Sequence, residues 1–372
     1  MLQTKLKVIS VLLIISSLFT GCWDAINIEE HNIVTLFILD YENGNYIYYT
    51  EIANIMGSSS AGEAKTNLTF STLRGKGKTF VEAKDDLLRR SDNQIFRRAT
   101  RVVVFTKRMA ENGIEEYLNR MRNNQDYRKS LYLVTTLTSP EQVIKDTPEN
   151  DASVGDAIEN TLKDQEKMGN SFCVSAGNIL QVIADKKAGF LLPEINIEEE
   201  ENTLTGYSVF KDTKYIGLIP VKERKGLVFF LTSDPQFFYE VNYKGKKLQI
   251  MTGLTNKKIK PTLEKEKLTF VINLTFEGEI HYMDQLFSID DQEKEEITQK
   301  LEALVKEDII KTLQVSQKEY RCDYLHFYKY FRAYNQSKFK TVNWEQMYSE
   351  AIMDVSIRAA IKGAVSLDIK PE

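Results

Sequence analysis

The stretch that most constrains this chain is Leu18-Phe19-Thr20-Gly21-Cys22-Trp23-Asp24. It closes a short apolar segment, Val8 to Phe19, that comes after Lys5 and Lys7, and it sets one cysteine directly after two small residues. A cationic start, a short apolar core and a small-residue exit are the parts of a secretory signal that is cut away. Cysteine immediately after Thr20-Gly21 points to the lipoprotein form. There the thiol is alkylated by a diacylglycerol, the peptide is cut before Cys22, and the new amine is acylated. The run is too short to cross a bilayer core, which takes about 20 apolar residues. The expectation is a removed signal over residues 1–21 and a lipid anchor at Cys22. The competing reading is an ordinary buried thiol behind a core helix. Phe19 stands third before the cysteine, where Leu is usual, with Leu18 one step back. Acyl chains would hold the chain firmly, since each buried CH₂ contributes ~0.8 kcal/mol.

Beyond the anchor the chain has ordinary globular composition. It has 372 residues, with 27% charged and 42% hydrophobic, and a length of this kind predicts two or three domains of about 100–200 residues. Loss of the signal removes Lys5 and Lys7 and no acid, leaving 47 basic and 53 acidic side chains, a balance of −6. That argues against a nucleic-acid binder, which shows a basic stripe. It also gives no reason to expect adhesion to anionic headgroups beyond the lipid itself. The other cysteines are Cys173 and Cys322. Whether they pair is open from sequence, and isolated thiols are commonly small buried hydrophobes.

Along the chain, Asn32 to Ile38 and Tyr46 to Ile52 read as strands around an Asn43-Gly44-Asn45 turn. A strand over Leu68 to Leu73 ends in Arg74-Gly75-Lys76-Gly77-Lys78-Thr79, read as a flexible turn, and Thr79 with Glu82 predicts a capped helix start. Arg101 to Phe105 predicts a buried strand, Met109 to Met121 one amphipathic helix, and Ser130 to Leu137 another strand. Ser139-Pro140-Glu141-Gln142 opens a helix, with further helices near Val154 to Met168 and Ser175 to Asp185. This alternation predicts a mixed α/β region over residues 22–195. The acidic run Glu198-Glu199-Glu200-Glu201 is read as a solvated linker over 196–202, ahead of a second region, 203–372, expected to hold two subdomains. In that region Lys211-Asp212-Thr213-Lys214 predicts a hairpin turn, Leu227 to Leu231 a buried stretch, and Leu268 to Phe276 a half-buried strand. Asp290 to Gln317 predicts a long helix, then an aromatic-rich segment, a short helix near Trp344 to Ser349 and a strand near Met353 to Ala360.

Several segments taken in order resemble the Ger(x)C family of spore germination lipoproteins, the C subunits of nutrient germinant receptors. They are Cys22-Trp23-Asp24; Gly77-Lys78-Thr79-Phe80-Val81-Glu82-Ala83; Arg101-Val102-Val103-Val104-Phe105; Leu204-Thr205-Gly206-Tyr207-Ser208-Val209-Phe210-Lys211; and Asp323, Trp344 and Val355-Ser356-Ile357. The likeness runs over nearly the whole mature chain. It departs at Ala25-Ile26-Asn27, where the family has Arg-Arg-Glu, and at His326 and Tyr328, where the family favours glycine. The resemblance implies an α+β fold of three mixed domains, each a largely antiparallel sheet with packed helices. It also implies an anchor at Cys22 on the outer face of the spore's inner membrane, and assembly with the integral membrane A and B subunits. No reaction and no cofactor are implied.

The residues themselves offer little chemistry. Gly75 to Thr79 lacks the leading glycine of a phosphate loop, with Thr72 in its place. Cys322 and His326 stand four apart, but a structural zinc takes four ligands. His281 and Asp284 have no marked nucleophile to activate. Tyr320, Tyr324, Phe327, Tyr328, Tyr330, Phe331 and Tyr334 read first as core, with Tyr328 and Phe331 as candidate interface anchors. The reading is therefore a non-enzymatic, lipid-anchored receptor subunit. The competing one is a lipid-anchored solute-binding protein that captures a nutrient directly.

Overall fold

The computed structural model describes residues 31–56, 67–145, 153–185, 187–284 and 289–364. The expected signal segment and Cys22 lie outside the described residues. The strands are shared between two sheets, one of nine strands and one of four.

The first sheet grows from β1 (His31–Glu42). On one side it pairs antiparallel with β2 (Asn45–Met56), which pairs with β3 (Asn67–Gly77). The β1–β2 turn sits at Asn43 (φ 51°) and Gly44 (φ 74°), the left-handed pair that a two-residue turn between right-twisted strands needs. On its other side β1 takes the short β4 (Gln94–Phe96) and then β5 (Val102–Thr106), both parallel to it. Parallel β6 (Tyr132–Thr136) and β7 (Phe190–Glu198) come next, and antiparallel β8 (Glu201–Lys211) and β9 (Lys214–Pro220) close the order. All five residues of β5 are buried, as expected of a parallel strand covered on both faces.

The helices of this half are α1 (Phe80–Arg89), α2 (Lys107–Asn112), α3 (Glu115–Asn123), α4 (Pro140–Lys145), α5 (Val154–Lys167) and α6 (Ala176–Asp185). Three expectations are corrected here. The glycine-rich stretch before α1 is strand, not turn. A Cβ on Gly75 would lie 2.3 Å from Ala83 O, and one on Gly77 2.3 Å from Ala83 N, so the glycines let α1 fold directly back on β3. The helix expected over Met109 to Met121 is two helices, parted at Gly113 (φ 114°), and Ile114 N–H leaves the helical pattern to bond Thr213 O at 3.0 Å. The acidic run is no linker. Glu199 and Glu200, both at positive φ, form the tight turn of the β7–β8 hairpin, so four carboxylates project from one sheet's rim.

The second sheet runs β10 (Gln236–Tyr243), β11 (Lys246–Glu264), β12 (Lys267–Met283) and β13 (Ile352–Ala364), antiparallel except for the β12–β13 pair. Residues of β10 alternate strictly between exposed and buried. The buried stretch Leu227 to Phe230 belongs to a helix, α7 (Arg224–Leu231). Helix α8 (Asp291–Gln314) starts with a capping box between Asp290 and Glu293 and lays Ile297, Leu301, Val305, Ile309 and Leu313 on the inner face of the sheet. One wider turn, Val315–Glu319, ends it. Three short helices, α9 (Phe327–Tyr334), α10 (Gln336–Thr341) and α11 (Trp344–Glu350), then lead into β13. The fold is mixed α+β, with antiparallel-rich sheets and packed helices, as the resemblance implies, but the described strands form two sheets rather than three, because β8 and β9, placed by sequence in the second region, pair on to β7 and complete the first.

Candidate functional site

The segment between α8 and β13 joins the two sheets, and it is organised by one carboxylate. Asp323 is buried, and its oxygens accept from Phe327 N–H (2.9 Å), Tyr328 N–H (2.7 Å) and the Trp344 indole N–H (3.0 Å). Two of these donors are orphan amides at the start of α9, which a side-chain acceptor must satisfy. Burial pushes Asp323 up to about 6, against the pull of its donors. His326 sits just before α9 in the left-handed region (φ 64°), the conformation glycine adopts most easily. That is the physical sense of the glycine the resemblance favours there. Burial, then the Lys329 charge, pushes the imidazole down to about 4, and its Nε2 has no partner among the described residues.

Around this hub the chain presses closely on the first sheet. A Cβ on Gly189 would lie 2.1 Å from Cys322 Sγ, and one on Gly217 2.3 Å from the Tyr320 ring. Tyr320 OH donates to Leu218 O at 3.0 Å. Gln317 Nε2 donates to Tyr348 O and Ala351 O, at 2.7 and 2.9 Å. Tyr328 and Phe331, the candidate interface anchors, are buried in this core, and Phe331 packs on Trp344 at 5.3 Å. They are fully covered and present no docking surface, because α9 turns that face inward. Of the aromatic cluster, Tyr334 stands most exposed.

Between α6 and α9 lies a cavity of about 510 Å³ lined by Asn178, Gln181 and Asp185 on one side and His326, Tyr328 and Arg332 on the other. Arg332 and Asp185 close one part of it with a 2.7 Å ion pair. Cys173 also lines it. Its thiol is pushed up to about 12, first by burial and then by Glu166, and the Cys322 thiol is pushed up to about 12 by burial and then Asp323. Both cysteines are free. Each is held as the neutral thiol at neutral pH, the opposite of an activated nucleophile.

The other residues singled out by sequence are not brought together. His281 Nε2 lies 3.5 Å from Glu279, and its ring packs edge-on against Phe238. Asp284 instead accepts Lys247 N–H at 3.0 Å. Thr79 caps α1, its Oγ1 accepting Glu82 N–H at 3.2 Å. Among the described residues no group of three or more His, Cys, Asp and Glu is placed to hold a metal. Sequence reasoning missed three buried acids. Glu51 accepts the amides of Val154 (2.8 Å) and Gly155 (3.2 Å) at the start of α5. Asp40 binds Arg108 and Thr106. Glu194 accepts from Asn196, Thr205 and Ser208, and burial raises it above the usual carboxylate range. Each acid is flanked by apolar or aromatic residues of its strand (Leu39 and Tyr41, Ile52, Pro193 and Ile195), which is the signal that would have found it.

The two sheets and the aromatic seam around the buried Asp323 make one body of the mixed α+β class. Sequence comparison shows which family of that class it is. The chain belongs to the spore germination protein family. The spore germination protein N-terminal domain matches residues 24–197, and the spore germination B3/GerAC-like C-terminal domain matches residues 205–364. The chain is 20% identical over 365 residues to spore germination protein B3 of Bacillus subtilis (strain 168), covering 93% of this chain and 95% of that one. It is 20% identical over 268 residues to spore germination protein A3 of the same organism, covering 71% and 70%. It is 21% identical over 222 residues to spore germination protein GerQC of Bacillus cereus, covering 60% of each. The crystal structure of the GerBC protein superposes with a TM-score of 0.58 at 17% identity, over 88% of this chain and 96% of that one. The family places the chain in spore germination.

Proposed function

We propose that this chain is a non-catalytic subunit of a spore nutrient germinant receptor. A diacylglycerol on Cys22 holds it to the outer face of the inner spore membrane, beside two integral membrane subunits, A and B. The observation that carries this reading is the family match beginning at residue 24, two residues after Cys22 and its signal-like leader. An anchor of this kind raises the local concentration of the body at the membrane, so modest contacts with integral partners suffice. The elevated thiols and the burial of Asp323 under three donors fit a structural role for the seam. Cys22→Ala, or deletion of the gene, in a host lacking redundant receptors should impair germination with at least one nutrient. Normal germination with every nutrient would overturn the proposal.

The cavity between α6 and α9 favours a second reading, a lipid-anchored protein that captures a nutrient itself. Its volume lies in the range of small-molecule sites. A ligand that binds only the folded chain raises its melting temperature. A melting screen of amino acids and sugars tests it, and a flat result would end it.

A further inference from the structure

The second sheet has two edges, and they are capped differently. An edge strand presents unpaired N–H and C=O groups, a template for another strand unless something covers them. On β10 the ammonium groups of Lys225 and Lys300 donate to Phe238 O (3.0 Å) and Asn242 O (2.8 Å). On β13 one side chain reaches the edge among the described residues, Glu302 of α8, whose Oε1 accepts Ala359 N–H at 2.7 Å. Backbone groups alternate in direction along a strand, so the odd-numbered residues of β13 face outward and the even ones face β12. Among the described residues nothing bonds the outward groups of Val355 or Ile357. The strand has no proline. A groove of about 300 Å³ lies beside these two residues, with Glu302 and Lys306 of α8 on its other wall, one acid and one base.

The side chains of this edge carry a pattern. Asp354, Ser356 and Arg358 are exposed on the open face. Their neighbours across β12 are Val271, Asn273 and Thr275, none of them charged, and Glu277 further along is taken by Lys362 at 2.6 Å. We propose that β13 pairs antiparallel with β13 of a second copy of this chain, about a twofold axis at Ser356, so that the two four-stranded sheets become one. Outward residues must meet outward residues, which puts the axis on a residue and not between two. With the axis at Ser356, each Asp354 stands opposite the other copy's Arg358 on the open face. On the inner face Val355 stands opposite Ile357, and the two exchange N–H to O bonds. An axis at Asp354 or Arg358 would set like charges against each other, and one at Val355 or Ile357 would leave both charges opposite uncharged residues. Unlike charges directly across a strand pair stabilise it and like charges destabilise it. This self-complementarity selects a second copy as the occupant of the edge, and it does not depend on the anchor at Cys22.

The test is sedimentation equilibrium of the chain from residue 22 carrying Cys22→Ser, which keeps every described residue. One strand pair is a small interface, so the expected monomer–dimer equilibrium falls between about 10 μM and about 1 mM. Arg358→Asp, or Asp354→Arg, should each weaken the dimer about tenfold or more, because two pairs of unlike charges become like. The double variant, Asp354→Arg with Arg358→Asp, should restore the parent affinity within about threefold, since the pairs are unlike again. Mixing the two single variants should give a heterodimer that neither forms alone. Both positions are exposed, and melting curves check that every variant folds. A monomer at all concentrations would overturn the proposal and leave the edge to a strand of another protein. A dimer indifferent to the single variants, or a double variant no tighter than they are, would overturn it equally.

Discussion

The two sheets bury themselves in different ways. In the first, β1 and β5 lie in the middle with both faces covered, and their residues from Leu36 to Leu39 and Val102 to Thr106 are buried without a break. In the second, β10 and β12 alternate, one face on α8 and the other in solvent. The first sheet therefore has little tolerance for added volume, since interiors pack like organic crystals. The second leaves a whole face free to vary. The same contrast applies to glycine. Gly75 exists because a helix backbone lies on it, and Gly245, in the β10–β11 turn, has open space around it and a φ of +80°.

That contrast is most sharply broken by substituting those two glycines in parallel. Gly75→Ala puts a Cβ 2.3 to 2.7 Å from atoms of Ala83 and Leu87. Because backbone must move, the expected cost exceeds about 4 kcal/mol, among the large values reserved for severe overpacking. Gly245→Ala meets nothing and carries only the left-handed penalty, about 1 kcal/mol. Thermal melts of both variants check this, and equal costs would mean that α1 yields rather than clamps.

The seam between the sheets comes next. Asp323→Asn keeps the shape but turns a donor toward N–H groups that need acceptors, at an expected cost of about 3 kcal/mol by denaturant titration. Its acidity also makes a prediction with a definite sign. A carboxyl raised from 3.8 to about 6 holds its proton longer in the folded chain, so its contribution to stability is full below pH 4 and is lost as pH rises to about 6. His326, lowered from 6.5 to about 4, does the reverse: its contribution is full above 6.5 and is lost as pH falls toward 4. Each shift is worth about 3 kcal/mol, so the two nearly cancel in the parent chain. His326→Gly should unmask the aspartate, its stability relative to the parent falling by about 3 kcal/mol from pH 4 to 6.5, and Asp323→Asn should unmask the histidine with the opposite slope. Parallel pH profiles for the parent and both variants would show that neither group is perturbed.

Legibility in the sequence divides along the same line. Hairpins with left-handed turn residues, the start of α8 at Asp290 and the alternating β12 are legible because each is local: Asn43-Gly44, the apolar stripe that begins at Ile297, Leu268 to Phe276. Errors fall where a distant segment decides. The stretch through Gly75 and Gly77 reads as a turn until α1 is known to lie across it. Glu198 to Glu201 reads as a linker because four acids look solvated, and they are, but on a hairpin inside one sheet. The two family domains meet between residues 197 and 205, and the nine-stranded sheet runs straight through that join. The seam is half legible. Asp323 and Trp344 stand out by resemblance, but neither composition nor spacing can say that one bonds the other, nor that Tyr328 and Phe331 turn inward.

The smallest predicted effect tests the open face of the second sheet. Phe238 is 47% exposed on β10, with the His281 ring at 5.5 Å its aromatic neighbour. Phe238→Ser removes little buried area and should change stability by less than about 0.5 kcal/mol, as surface substitutions do. On the same strand Phe237 is buried against Phe229, and Phe237→Ala should cost about 3 kcal/mol or more. Two adjacent phenylalanines would then differ several-fold in consequence only because a strand sends successive side chains to opposite faces. A large loss on Phe238→Ser in the isolated chain would mean that this face is covered from within the molecule, and the distinction between a sheet enclosed on both sides and one left open would fail.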